Sequence, residues 1–322
     1  MRKVIVDTDP GVDDAIALCV LSRRPEIELV GITTVLGNGD IEAVTRNALF
    51  LADRLGLAVP VAQGSGVTLL GRHDGFAPHV HGANALGDID VPEAAAGHLD
   101  PRRGHRMIID LVRQHPGEIT IISLGRMTNL ARALDKDPEI ARLVRSVVVM
   151  GGAFGNNGHT GNVSPVAEAN VAGDPDAADK VLTAHWPVTM VGLDVTMEVV
   201  LDADFLERLG AEGGETGRLL QDLSRFYLGF HRRSRKLDGI FAHDSLAVAY
   251  VVDPTLFTTT VGQVRVVCGG LASGQTIQKP ERATFPSSAW DPHPKQTVCV
   301  GIDVQRATAL LQQTLLSPAK AA

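Results

Sequence analysis

The stretch Val4-Ile5-Val6-Asp7-Thr8-Asp9-Pro10-Gly11-Val12-Asp13-Asp14-Ala15 decides the fold of this sequence of 322 residues. It begins as an apolar strand, turns at Pro10-Gly11, and continues into a helix that carries Asp13 and Asp14 in its first turn. Acidic residues are favoured in that turn, because the helix dipole attracts negative charge. This preference explains two carboxylates, whereas we expect four to converge at the end of the strand.

A cation is the simplest explanation for so many carboxylates in one place. Like charges at this spacing repel, and they raise one another's pKa unless a cation neutralises them. All candidate ligands are oxygen atoms, which indicates Ca²⁺ or Mg²⁺ rather than zinc. In open α/β sheets, ligands bind outside the carboxyl ends of the strands, and this turn must lie there.

Strand patterns alternate with helix patterns along most of the chain. Strands are predicted at residues 4–6, 28–35, 59–62, 119–123, 146–150 and 188–193, with amphipathic helices at 41–55, 107–112 and 175–182. This alternation predicts an α/β fold in which helices flank a mostly parallel central sheet with a Rossmann-like core.

The pattern changes near the C-terminus. Two strand patterns, 260–268 and 296–302, predict a small antiparallel extension before a last helix at 304–316. Neither a fixed-period repeat nor a Pro/Ser-rich linker divides the chain, so we expect residues 1–322 to form a single domain. Two long irregular stretches, 64–100 and 151–165, have the length typical of functional loops.

Composition excludes several classes of protein. The formal net charge of -7 and the sequence pI near 5.9 leave no basic excess for nucleic acid, so a small neutral or cationic ligand fits better. Cys19, Cys268 and Cys299 lie in apolar runs without CxxC spacing, and we expect buried thiols. Because neither a signal peptide nor a long apolar segment is present, we predict a cytoplasmic protein with no membrane partner.

The chain resembles the nucleoside hydrolases, and it is more similar to their inosine-uridine preferring branch than to the purine-specific one. The resemblance runs end to end and rests on the acidic stretch and four spaced companions. These are Ile32-Thr33-Thr34-Val35-Leu36-Gly37-Asn38, Met150-Gly151-Gly152, Ala167-Glu168-Ala169-Asn170 and His243-Asp244. The resemblance implies hydrolysis of ribonucleosides to free base and ribose, with calcium as cofactor. We also expect a homo-oligomer, either a dimer or a tetramer.

Roles for individual residues follow from the resemblance. It implies that the carboxylates of Asp9, Asp14 and Asp244 bind calcium together with the backbone carbonyl of Leu124. Asp9 would activate a calcium-bound water, and His243, as an imidazole titrating near neutrality, would protonate the leaving base. The resemblance further implies substrate-binding residues: Asp13, Asn38, Asn162, Glu168 and Asn170 at the ribose, and His81, Met150, Tyr227 and His231 elsewhere in the pocket.

Some positions depart from the family pattern. His231 stands where the inosine-uridine branch often has a tyrosine, although Tyr227 one helical turn earlier keeps an aromatic ring. Ala169 stands where some relatives carry a bulky aromatic residue. These changes leave the preference between purine and pyrimidine bases open. The basic run 231–236 is expected to be a solvated helix face, and His73 and His79 to be exposed loop residues.

Other interpretations of the same motifs remain at this point. Asp244 could cap the helix predicted at 245–251 instead of binding a metal. Asp7-Thr8-Asp9 also resembles the nucleophile motif of Mg²⁺-dependent haloacid-dehalogenase-type phosphatases, although Pro10-Gly11 and Asp13-Asp14 do not fit that motif. A catalytically inactive nucleoside-binding protein is a third possibility, but it predicts a damaged aspartate cluster, and every matched carboxylate is present.

Overall fold

A ten-stranded mixed sheet forms the centre of the molecule. The computed structural model describes residues 1–73, 75–92, 99–286 and 289–318, so residues 74 and 93–98 of the predicted 64–100 loop lie outside the described residues. The strands are β1 (Arg2–Thr8), β2 (Ile27–Thr34), β3 (Val61–Gln63), β4 (Leu99–Asp100), β5 (Ile119–Ser123), β6 (Ser146–Met150), β7 (Val188–Val191), β8 (Val200–Asp202), β9 (Gly239–Phe241), β10 (Phe257–Val266), β11 (Thr276–Gln278) and β12 (Lys295–Ile302).

The order across the large sheet is β11-β10-β12-β7-β6-β5-β1-β2-β3-β4, while β8 and β9 form a separate antiparallel pair. The strands from β12 to β4 in this order are all parallel to one another. At the other edge, β10 pairs antiparallel with both β12 and β11. The predicted α/β class is therefore confirmed. The antiparallel extension is present, and it lengthens the main sheet through β12 instead of forming a separate appendage.

Helices cover the sheet between the strands. They are α1 (Val12–Ser22), α2 (Ile41–Arg54), α3 (Pro78–His81), α4 (Gly104–Gln114), α5 (Thr128–Lys136), α6 (Ile140–Leu143), α7 (Ala169–Gly173), α8 (Pro175–Thr183), α9 (Leu193–Thr196), α10 (Ala203–Glu212), α11 (Gly214–Arg235), α12 (His243–Val252) and α13 (Val304–Leu316). Within the described residues, no helix combines the length and apolar character that a membrane crossing requires.

Several details of the sequence predictions are wrong, including the strand predicted at 260–268, which runs from Phe257 to Val266. The strand predicted at 59–62 begins later, at Val61, after a proline that has no amide hydrogen for the sheet ladder. The strand predicted at 188–193 ends at Val191, because Leu193 already begins α9. Cys268 is exposed instead of buried, since β10 ends before it, whereas Cys19 and Cys299 are buried as predicted.

The central strand β1 is packed against apolar side chains on both faces of the sheet. Along β1, Val4 and Val6 belong to one buried cluster and Ile5 to the other, as expected when successive side chains point to opposite faces. A parallel strand that is covered on both faces has a continuous apolar sequence, which is what β1 shows. The strand therefore delivers its C-terminal aspartates to a fixed point in the middle of the sheet.

Helices α1 and α12 are buried almost all round, and they pack against each other. A helix that is apolar on every side belongs in the interior, which explains the low polarity of both sequences after their first turns. Each helix nevertheless carries acid in its first turn: Asp13 and Asp14 in α1, and Asp244 in α12. Their contact brings carboxylates that are 230 residues apart in the chain into one cluster.

Candidate active site

The candidate site lies at the carboxyl ends of the parallel strands, where the chain changes direction across the sheet. From β1 the chain continues through β2, β3 and β4 on one side, and then returns to β5 on the other side of β1. Such a switch point leaves a crevice above the strand ends, because the following connections diverge. Asp9 follows β1, Asn38 follows β2, and Leu124 follows β5, so all three meet at this crevice.

A pocket in this crevice collects most of the predicted site residues. Asp9 and Asp14 are the exceptions, since they lie buried beneath its surface. The predicted residues that line it are Asp13, Asn38, His81, Leu124, Met150, Asn162, Glu168, Asn170, Tyr227, His231, His243 and Asp244. His79 also lines the pocket; it is exposed as predicted, but it lies in α3, so its assignment to a loop is wrong.

Three carboxylates lie together at the floor of the pocket, where Asp13 and Asp244 line the surface and Asp14 lies just beneath it. Oxygen atoms of Asp13, Asp14 and Asp244 all lie within 4.8 Å of one another, close enough for one metal ion to contact all three. Asp14 is fixed by hydrogen bonds from the Thr8 hydroxyl and from the Gly11 amide, the latter at 2.9 Å. One oxygen of Asp13 is buried without a hydrogen-bond partner among the described residues, so it is available to a ligand.

Asp9 is held next to this group by a tight backbone cradle. Its carboxylate accepts a hydrogen bond from the Asn38 amide at 2.8 Å. A Cβ atom at Gly37 would lie 1.9 Å from an oxygen of Asp9, and one at Gly125 would lie 2.4 Å from the other. Both glycines are therefore required by close approach to the carboxylate, which explains why glycine follows β2 and β5 at these positions.

The prediction that Asp7, Asp9, Asp13 and Asp14 all converge at the end of β1 is wrong for Asp7. Its carboxylate accepts hydrogen bonds from the hydroxyl of Thr33 and from the side-chain amide of Asn129, the latter at 2.7 Å. Burial raises its pKa to about 7. Because Asp7 is enclosed by these contacts and does not line the pocket, it is unsuited to be the nucleophile of a phosphatase.

Electrostatics favour positive charge beside the cluster. Burial raises the pKa of Asp13 to about 6, and burial together with the neighbouring Asp13 carboxylate raises the pKa of Asp14. The pKa values of Asp9 and Asp244 are also raised well above their usual range, mainly by burial and then by the other aspartates. The Arg126 guanidinium offsets part of this at Asp9. A divalent cation fits this all-oxygen donor set and its charge.

Polar residues at the rim mainly position one another. The side-chain amide of Asn38 donates to Asp14 at 3.2 Å, and that of Asn170 donates to the Leu124 carbonyl at 2.6 Å. Glu168 caps α7 and also accepts from the Gly152 amide at 2.9 Å. Asn162, which is exposed at the rim, accepts from the amide of Ala169. The pocket is thus ordered by its own hydrogen bonds.

His81, Tyr227 and His231 form an aromatic wall of the same pocket. His81 stacks on Tyr227 with ring centroids 5.1 Å apart, and the His231 ring meets Tyr227 edge-on at 4.4 Å. Burial lowers the pKa of both histidines to about 4, so both are neutral at neutral pH. The His81 Nδ1 atom accepts from the Val12 amide, which places the ring proton on Nε2. The His231 Nδ1 atom donates to the Tyr227 carbonyl, which leaves Nε2 as an acceptor.

His243 closes the pocket beside Asp244. Its Nδ1 atom lies 2.8 Å from the hydroxyl of Thr196 in α9. Burial lowers the pKa of His243 to about 3, well below the near-neutral value on which its predicted acid role relied. The alternative that Asp244 caps α12 is wrong. The N-cap residue of this helix is Ala242, and the helix has no capping hydrogen bond from a side chain.

Sequence reasoning missed several residues that line the pocket or support it. Arg235 and Phe241 line the pocket, with the Arg235 guanidinium 6.0 Å above the Phe241 ring. The spacing of Arg235 from His231, four residues along α11, was a signal that could have indicated a shared helix face. Residues 232–236 of the basic run are exposed, as predicted, whereas His231 is buried. Thr196 carried no sequence signal, since its role depends on a tertiary contact with His243.

Comparisons with known proteins show the family of this chain. The chain matches the family model for inosine-uridine preferring nucleoside hydrolases over residues 4–309. It is 37% identical to uridine nucleosidase 1 of Arabidopsis thaliana, covering 98% of this chain and 94% of the relative. It is 41% identical to the inosine-uridine preferring nucleoside hydrolase of Leishmania major, covering 86% and 87%. A plant nucleoside hydrolase of known structure aligns with a TM-score of 0.94 at 36% identity, covering 98% and 99%. The chain therefore belongs to the inosine-uridine preferring nucleoside hydrolase family and is a ribonucleoside hydrolase.

Proposed function

We propose that this protein hydrolyses the N-glycosidic bond of ribonucleosides with the help of Ca²⁺. The observation that carries the proposal is the buried group of Asp13, Asp14 and Asp244 at the floor of a pocket walled by histidines. We assign the ion to the carboxylates of Asp9, Asp14 and Asp244 and to the carbonyl of Leu124. Asp13 lies close enough to bind either the ion or a ribose hydroxyl beside it.

When bound, calcium supplies positive charge that orients the ribose hydroxyls and polarises a water molecule. Asp9 is the base that takes a proton from the attacking water. Its raised pKa suits this role, because a carboxylate that has lost part of its solvation holds a proton more readily. The cradle of Gly37 and Gly125 keeps this carboxylate from rotating away.

His243 is the acid that releases the base. As the C1′–N bond breaks and a C1′–O bond forms, the base receives a proton from the imidazole while Asp9 holds the proton from water. Positive charge develops on the ribose during this step, and the neighbouring carboxylates stabilise it. Negative charge on the departing base favours the protonated imidazole, which counteracts the effect of burial on His243.

The remaining pocket residues bind the two halves of the nucleoside. Asp13, Asn38, Asn162, Glu168 and Asn170 surround the ribose, and Met150 lies beside Asn170 with its sulfur 3.5 Å from the side-chain amide. Around the base, the wall offers a donor at His81 Nε2, an acceptor at His231 Nε2, and the face of Tyr227. Inosine and uridine are the first substrates to test, because the relatives named above are described as acting on them.

The test is a substrate panel with purified protein and added calcium. Inosine, uridine, cytidine and adenosine are offered separately, and free ribose is measured. We expect ribose release that a calcium chelator abolishes and excess calcium restores. Nitrophenyl phosphate with Mg²⁺ serves as the control for a phosphatase, and turnover of that compound alone would contradict the proposal. Nucleoside binding without any ribose release would instead indicate an inactive binding protein.

A further inference from the structure

The short helix α9 touches the proposed catalytic acid from outside the pocket. We propose that Thr196 is a positioning residue that fixes the orientation of the His243 imidazole, so that its Nε2 atom faces the leaving base. This inference rests on the proposed function, because it requires His243 to deliver the proton. Thr196 itself does not line the pocket, and it acts through His243.

The contact between the two side chains is directional and enclosed. The Thr196 hydroxyl lies 2.8 Å from His243 Nδ1, and Thr196 is fully buried. The neighbouring ring of Phe241 is 5.4 Å from the imidazole at a tilt of 48°, a contact that does not select one ring nitrogen over the other. The hydrogen bond between Thr196 and His243 therefore determines which edge of the imidazole is turned toward the pocket.

The position of Thr196 is itself fixed by the loop that follows β6. The carboxylate of Asp194 accepts hydrogen bonds from the amides of Phe154 at 2.9 Å and Asn156 at 2.6 Å. The Leu193 amide donates to the Gly152 carbonyl at 2.9 Å. These bonds attach α9 to the stretch that leads to Asn162, so one element holds both the proposed acid and a proposed ribose-binding loop.

A competing explanation is that Thr196 only fills space in the core. Four variants separate the two explanations. Thr196→Val keeps the shape and removes the hydroxyl, while Thr196→Ser keeps the hydroxyl. Thr189→Val is the matched control, because Thr189 is buried in the preceding strand β7 and its hydroxyl contacts Tyr250 at 3.4 Å, away from the pocket. His243→Ala is the reference for complete loss of the proposed acid.

Each variant is assayed with inosine and with a 4-nitrophenyl riboside, whose nitrophenolate leaves without needing a proton. For Thr196→Val we expect kcat on inosine to fall about three- to tenfold, the effect of losing one orienting hydrogen bond. KM for inosine and the rate on the nitrophenyl riboside should stay near wild type. Thr196→Ser should restore most of the inosine activity, and Thr189→Val should leave both rates unchanged.

Two different failures are distinguishable. If Thr196→Val slows both substrates equally, or if Thr196→Ser is as impaired as Thr196→Val, the positioning role is wrong even though His243→Ala shows the leaving-group dependence. If His243→Ala itself slows inosine and the nitrophenyl riboside equally, the assignment of the acid in the proposed function fails, and the role of Thr196 fails with it.

Discussion

Without the proposed calcium ion, the stability of this protein should depend strongly on pH. The cause is the group of buried carboxylates, whose pKa values are all raised in the folded protein. Each such carboxyl has a lower pKa in the unfolded chain than in the folded protein. At a pH between these two values, the folded protein keeps the proton and the unfolded chain has lost it. The free energy of unfolding must therefore fall as the pH rises through that window.

Asp13 alone sets the scale of the effect. Its pKa rises from 3.8 to about 6 on folding, and one pKa unit corresponds to about 1.4 kcal/mol. The calcium-free protein should therefore lose about 3 kcal/mol from this group between pH 4 and pH 6. Asp9, Asp14 and Asp244 add to this loss, since burial and the neighbouring aspartates raise their pKa values as well.

Calcium should reverse this loss. Binding at one hundred times the dissociation constant adds about 2.7 kcal/mol, and the gain should be larger at pH 8 than at pH 5, where protons compete for the same oxygens. Urea unfolding with chelator or with calcium, repeated across this pH range, measures both effects.

Asp14→Asn should flatten the pH dependence and weaken the calcium response. Asp40→Asn is the control, because asparagine also caps α2 from that exposed position. A calcium-free protein whose stability is flat from pH 5 to pH 8 would refute the reasoning.

Two further predictions concern activity. Asp9→Asn should lower ribose release by orders of magnitude, because the amide keeps the shape of the side chain but cannot take a proton. Its circular dichroism spectrum should stay native. Near-normal turnover would contradict the assignment of Asp9 as the base. Asp194→Ala should raise KM for nucleosides and lower the melting temperature, since the amides of Phe154 and Asn156 lose their acceptor; an unchanged KM in steady-state assays would show that the loop holds its position without this carboxylate.

The sequence predicted the parts of the site that follow from local pattern and strand order. The motif around Asp9 and Asp14 lies at the end of an apolar strand, and parallel strands bring their carboxyl ends to one edge of a sheet. The same rule placed Asn38 correctly at that edge, whereas Leu124 was named only through the family resemblance. Asp244 could be placed only through the family resemblance, because its approach to Asp14 depends on the packing of α12 against α1.

Other features depend on tertiary contacts that no local pattern encodes. Asp7 lies in β1, the strand that Asp9 follows, yet its partners Thr33 and Asn129 come from β2 and from α5. Which ring nitrogen carries the proton in His81 is set by the Val12 amide, 69 residues away in the chain. The single-domain organisation, the oligomeric state and the compartment stay predictions.

The arrangement of the site explains why its acidic residues sit on the most apolar elements of the chain. Burial raises the proton affinity of the carboxylates, and the same burial strengthens their attraction to a divalent cation, because the surrounding dielectric is low. Two apolar helices that pack closely can hold such a cluster in one geometry, whereas solvated loops would let the charges separate. Burial of the carboxylates therefore explains two properties at once. It lowers the stability of the calcium-free protein, and it favours binding of the proposed cation. A variant that exposes the cluster to water should lose both together.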